Sequence, residues 1–110
     1  DYKVKLCDFG LAKNIKDLGI GHGQYSGTAA YMGPELFMKR PYNEKVDIFA
    51  FGTMLWEILA RKIPYEGFEP LDIKNSVVEG RDLPTPENVF PKEMAEIIHS
   101  CRNSSPELRP

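Results

Sequence analysis

The spacing of apolar positions changes several times along the chain, and each change marks an element. Lys3-Val4-Lys5-Leu6 alternates charged and apolar residues and runs into Cys7-Asp8-Phe9, a period of two that predicts a short strand with one buried face. From Asn14 to Thr28 the periodicity is lost, and Gly19, Gly21, Gly23 and Gly27 predict a loop. A short helix is expected from Pro34 to Met38, ended by Arg40-Pro41. Asn43 is a candidate N-cap for a helix running to about Leu59. Within it Ile48, Phe49, Ala50 and Phe51 are consecutive, and at about 100° per residue they point all around the helix. Such a helix should be covered on every side, which demands more material than this chain offers. Ile63-Pro64-Tyr65-Glu66-Gly67 breaks the pattern. A second helix then starts near Pro70, uses Ile73 and Val77 on one face and stops at Gly80. Leu83-Pro84-Thr85-Pro86 is a rigid connection to a third helix, Pro91 to Arg102, with Met94, Ile97, Ile98 and Cys101 as its buried stripe.

Composition narrows the class. With 110 residues, 42% hydrophobic and 27% charged, the chain suits one modest globular domain or part of a larger one. A net charge of −2 gives no reason to expect nucleic acid or an anionic membrane as partner. Cys7 and Cys101 form no metal or redox pair, which suits a reducing, cytoplasmic compartment. No basic segment leads into an apolar run at the N-terminus, and the most apolar stretch, Ile48 to Trp56, is too short to cross a bilayer. The chain opens inside a strand pattern without Met and stops at Pro110 directly after a motif, so it reads as a piece of something longer.

Four motifs follow one another in order. They are Asp8-Phe9-Gly10, then Gly33-Pro34-Glu35 at the end of the Gly-rich loop, Asp47 to Gly52 opening the apolar helix, and Ser105-Pro106-Glu107-Leu108-Arg109-Pro110 at the end. Each alone is weak. Together, over essentially all 110 residues, they resemble the protein kinase family from the magnesium-binding loop to late in the C-terminal lobe. The glycines before Thr28 make no dinucleotide fingerprint, because that pattern needs glycine where Gln24 stands.

The resemblance implies a mainly α fold: part of the C-terminal lobe of the α+β kinase fold, with a short N-terminal strand, an activation segment and about three helices. Residues 1–35 would form the magnesium-loop strand and activation segment, and 36–110 the helical lobe. It also implies roles. Phosphoryl transfer from ATP relies on positioning and on neutralising phosphate charge through Mg2+, a cation that favours hard oxygen ligands. Asp8 would supply that carboxylate, Phe9 would act in the active–inactive switch and Gly10 would hinge it, with Cys7 at the back of the nucleotide site. Thr28 would support the catalytic loop from the substrate-docking loop, and Met32 would line the pocket for the residue after the phosphoacceptor. Ser26 and Tyr25 are candidate regulatory phosphosites, Ser26 first. Glu35 and Arg109 match two motifs whose members form a buried ion pair in the family. Asp47 would hold backbone amides of the catalytic loop, and Met54 and Ile58 would form the base of the spine beneath the adenine. The plain readings stand beside these: a surface turn at Asp8, a helix-start carboxylate at Asp47, simple core packing at Met54 and Ile58, and an ordinary strand cysteine at Cys7.

The sequence departs from the family at three positions: Gly33 stands where Ala is usual, Phe49 where Trp is usual, and Arg102 where many kinases have Trp. Gly33 adds backbone freedom at the loss of a methyl group. His22 and His99 have no ligand spacing, and Lys39, Arg40, Glu44 and Lys45 read as a solvated face. The 110 residues contain no Gly-rich nucleotide loop, no strand lysine with its helix glutamate and no H-R-D-x-x-x-x-N, so the general base lies outside them. The implied activity of the parent is transfer of the γ-phosphoryl of MgATP to Ser or Thr hydroxyls of proteins, in signalling. The motifs are nearest the tyrosine-kinase-like group of Ser/Thr kinases, and the chain alone is expected to be inactive and marginally folded. The rival readings are a pseudokinase scaffold, a protein tyrosine kinase and an unrelated small helical interaction domain.

Overall fold

The computed structural model describes residues 3–5, 7 and 29–110. These form a 3-10 turn, Ala29–Tyr31, followed by four α-helices: α1 (Pro34–Phe37), α2 (Lys45–Ala60), α3 (Pro70–Val78) and α4 (Lys92–Cys101). A second 3-10 turn, Pro106–Leu108, follows α4. No β-strand occurs among the described residues. Lys3, Val4, Lys5 and Cys7, where a strand was expected, are exposed and outside any ladder. Alternation makes a strand only where a neighbouring strand takes up its backbone hydrogen bonds, and none of the described residues does so.

The helix limits follow local chemistry. Pro34 starts α1 at a position that needs no N–H. Glu44 directly precedes α2, but its φ of −60° and ψ of −14° are already helical, and its side chain caps nothing. Asn43 supplies the cap instead, its side-chain oxygen accepting a hydrogen bond from the Lys45 N–H at 3.0 Å. Arg61 ends the same helix in the left-handed conformation. Glu69 and Asp72 cap α3 reciprocally, Pro70 opens it, and Gly80 leaves it at φ 77°, where a residue without Cβ carries no penalty.

Two apolar clusters hold the helices. Met32, Phe37, Phe49, Ile73 and Val77 join the 29–37 segment to α2 and α3. Trp56, Leu83, Phe90 and Ile98 join α2 to α4 and the loop before it, and Tyr65 packs against both clusters. Ile98 and Cys101 are buried as the spacing predicts, but Ile97 is 44% exposed. Ile98 alone of the adjacent pair can face α2, because neighbouring residues on a helix diverge by about 100°. The all-apolar helix α2 is covered on one side only: Phe49, Gly52, Thr53 and Trp56 are buried, while Phe51, Met54 and Ile58 are exposed.

Candidate functional site

The centre of the described structure is a buried ion pair. Glu35, on α1, and Arg109, after the last 3-10 turn, are each 4% exposed and meet through two parallel bonds. Arg109 Nη1 donates to Glu35 Oε2 at 2.7 Å and Nη2 to Oε1 at 2.9 Å. The fork geometry of guanidinium and carboxylate makes this the strongest form such a pair takes. Two further Arg109 N–H groups are also taken, that of Nε by the Asn103 carbonyl at 2.8 Å and the second on Nη1 by the Lys45 carbonyl at 2.9 Å. One side chain thereby fixes the 29–35 segment, the start of α2 and the chain after α4 to one another. Lys45, assigned by sequence to a solvated face, is half-buried beside it and donates from Nζ to the Pro110 carbonyl at 2.7 Å.

Gly33 belongs to this arrangement for a reason of space. Its φ is −75°, open to any residue, so backbone freedom is not what glycine provides here. A Cβ at Gly33 would stand 2.6 Å from Glu35 Oε1 and 3.3 Å from Arg109 Nη2. The carboxylate occupies the volume that a methyl group would claim.

A second tether joins the same segment to α2, where the Tyr31 hydroxyl donates to the Glu57 carboxylate. That bond, then burial and the nearby negative charge, push the Tyr31 pKa up to about 12.

Phe49 brings a second buried arginine into contact with the pair. The Arg109 guanidinium lies 5.0 Å from the Phe49 ring centroid, and that of Arg102, 6% exposed, lies 4.7 Å from it. Arg102 Nε donates to Thr53 Oγ1 at 3.0 Å and Nη2 to the Tyr65 hydroxyl at 2.8 Å, while Nη1 is 3.6 Å from Asp82 Oδ1. Its stem lies against Gly52, where an added Cβ would come within 2.8 Å of both Arg102 Cγ and Cys101 Cβ. Sequence reasoning missed this hub, since an arginine at the end of an amphipathic helix carries no mark of burial. The signal available was the paired departure, Phe for Trp at 49 and Arg for Trp at 102.

The remaining candidates are dispersed. Met32 is 4% exposed and belongs to the first apolar cluster. Asp47 is exposed in the first turn of α2, and Met54 and Ile58 lie on its uncovered side. Cys7 is exposed. Asp8, Phe9, Gly10, Tyr25, Ser26 and Thr28 lie outside the described residues. Among the described residues no three His, Cys, Asp or Glu side chains gather as a metal set, and no helix is long and apolar enough to cross a membrane.

The sequence aligns with known proteins over its full length. Residues 1–110 match the family described as protein tyrosine and serine/threonine kinase. A probable LIM domain-containing serine/threonine-protein kinase of Dictyostelium discoideum is 41% identical over 110 residues, covering 100% of this chain and 11% of that protein. The mitogen-activated protein kinase kinase kinase dlk-1 of Caenorhabditis elegans is 36% identical over 108 residues, covering 97% and 12% respectively. The dual specificity protein kinase shkD of Dictyostelium discoideum is 34% identical, covering 98% of the chain and 15% of that protein. The chain thus spans a small part of the length of these relatives. The motif order, the Glu35–Arg109 pair at the junction of two of those motifs, and a match along the whole sequence agree: this chain belongs to the protein kinase family.

Proposed function

We propose that the protein containing this chain transfers the γ-phosphoryl group of MgATP to serine or threonine hydroxyls of proteins, in cytoplasmic signalling, and that residues 1–110 are the part of its kinase domain running from the magnesium loop into the helical lobe. The observation that carries the reading is the buried bidentate pair between Glu35 and Arg109, which fastens the segment directly after Thr28 to the helical body. A loop that must present a protein substrate gains from such anchoring, because transfer depends on positioning. Asp8 is the carboxylate assigned to magnesium, by its chemistry and its place in the motif. Thr28 is assigned to support the catalytic loop, and Ser26, then Tyr25, to regulation by phosphate. The 110 residues alone are inactive in this reading, since they contain neither the general base nor the nucleotide-clamping lysine.

Acceptor preference rests on Gly27-Thr28 and Tyr31-Met32, and several relatives are named as serine/threonine kinases. The names of shkD and shkA favour a second reading, in which tyrosine is accepted as well. A peptide array presented to the full-length protein decides between them. Phosphate on Ser and Thr peptides is expected, and predominant tyrosine phosphorylation would refute the proposal.

A further inference from the structure

The connection from α3 to α4 carries a chemistry that the kinase reading leaves unused. Leu83 is buried and anchors the loop, and the Trp56 indole N–H donates to the Pro84 carbonyl at 2.8 Å. These two contacts pin the loop from below and leave Thr85 half-buried and Pro86 exposed. The Thr85 hydroxyl lies 3.3 Å from His99 Nε2, and His99 Nδ1 lies 3.1 Å from Asp82 Oδ2. The other oxygen of Asp82 faces the buried guanidinium of Arg102 at 3.6 Å.

We propose that Thr85 is a phosphoacceptor for a proline-directed serine/threonine kinase, with the new phosphate seated on the imidazole of His99. Pro84 and Pro86 restrict the backbone on both sides of the acceptor, and a residue before proline is biased away from the helical region towards extended backbone. An extended acceptor followed by a residue without N–H is the substrate form that a proline-directed enzyme selects. Among the described residues, the N–H and carbonyl of Thr85 itself take part in no backbone–backbone hydrogen bond. In the reaction the bond between the γ-phosphorus of ATP and its bridging oxygen breaks and a bond to Thr85 Oγ1 forms. The hydroxyl proton passes to the base of the modifying kinase, and ADP leaves. The product carries about −1.5 to −2 charges. Because Nδ1–H is directed at the Asp82 carboxylate, Nε2 donates to the phosphate from the imidazolium form of His99, in a charge-assisted contact that the neutral hydroxyl lacks. The same charge opposes Asp82, which His99 and Arg102 share.

The chain holds an internal control in Ser105-Pro106. There the Ser105 N–H is taken by Asn103 Oδ1 at 2.9 Å, its carbonyl accepts from the Leu108 N–H at 3.0 Å, and the neighbouring Arg109 is locked to Asn103 and Glu35. Presenting Ser105 to an enzyme would break bonds made by its own N–H and carbonyl; Thr85 makes no such backbone bond, and the bonds beside it are those the Pro84 carbonyl accepts from Trp56 at 2.8 Å and the Pro86 carbonyl from the Val89 and Phe90 N–H groups at 3.0 Å. The proposal is independent of the chain's own activity. Full-length protein is incubated with MgATP, with and without a proline-directed kinase, and phosphate is located by mass spectrometry. Thr85 should be modified only when the kinase is added, on the order of tenfold more slowly in Pro86→Ala, with Ser105 left unmodified. Phosphate on Thr85 with ATP alone would overturn the assignment to a proline-directed enzyme. No phosphate on Thr85 of the folded protein, under conditions that modify a peptide spanning 81–90, would overturn the site. Ring resonances of His99 that do not move on phosphorylation would overturn the seat.

Discussion

Arg109 and Arg102 both bury a guanidinium against the same phenylalanine, yet they are neutralised in different ways. Arg109 faces a carboxylate as buried as itself, bonded at both oxygens, and its remaining donors reach two backbone carbonyls. Arg102 directs its hydrogen bonds to two neutral hydroxyls, and its acidic neighbour among the described residues, Asp82, keeps 52% of its side chain in solvent. A glycine accompanies each: Gly33 makes room for the Glu35 carboxylate, and Gly52 makes room for the stem of Arg102. Charge buried against charge has no substitute when one member is lost, whereas loss of Arg102 leaves Thr53 bonded to the Phe49 carbonyl and Asp82 half in solvent.

The first test separates the two most sharply. Glu35→Gln keeps the shape of the pair and strands the charge of Arg109, so the complete kinase domain should lose ~3–5 kcal/mol in urea unfolding. A loss below about 1 kcal/mol would mean that the pair is no stronger than a surface bridge. Gly52→Ala comes next. Inside a helix that change gains up to ~1 kcal/mol of propensity, but the collision with Arg102 and Cys101 costs ~1–3 kcal/mol of overpacking. A net loss of about 1 kcal/mol is expected from the same unfolding measurement. A net gain would show that α2 and α4 separate easily and that Arg102 is loosely held.

Arg102→Met should cost about 1 kcal/mol or less, because a buried charge is exchanged for an apolar chain. Asp82 is already half in solvent, and Thr53 still donates to the Phe49 carbonyl at 3.2 Å. A cost equal to that of Glu35→Gln would erase the distinction between the two arginines. The smallest effect belongs to the outer tether. Tyr31 holds its proton to about pH 12, while an unfolded tyrosine releases it near 10. The tether's contribution is therefore complete below about pH 10 and is lost as pH rises through about 12. Tyr31→Phe should remove a small, constant amount of stability below that range and flatten the fall within it. An unaltered alkaline profile would remove the tether from the account.

The contrast between the arginines is also one of legibility. Glu35 and Arg109 could be named from the sequence because each sits in a motif, although 74 positions separate them. Arg102 could not, because nothing around it in sequence distinguishes a buried guanidinium from a solvated one at the end of a helix. The burial of Met32 in one cluster with Phe37 and Phe49 is likewise a matter of which elements meet, and its motif position carries no sign of it. Ile97 was counted with the buried stripe because periodicity gives a face but not its width.

The order of the helices and their approximate limits, the family, and the candidate partnership of Glu35 with Arg109 could all be read along the chain. The helices follow from local rules: Pro34 and Pro70 open α1 and α3 and Gly80 closes α3 through their own backbone geometry, and apolar spacing sets a face within a few turns. Family and partnership follow from motifs that keep their order whatever their distance. The packing in three dimensions was needed to show that Arg102 is buried on Phe49, that a Cβ at Gly33 or Gly52 would meet the side chains packed there, and that Phe51, Met54 and Ile58 stay uncovered. Each of these depends on which distant groups come into contact, and burial, collision and ion pairing are properties of that contact rather than of any residue alone.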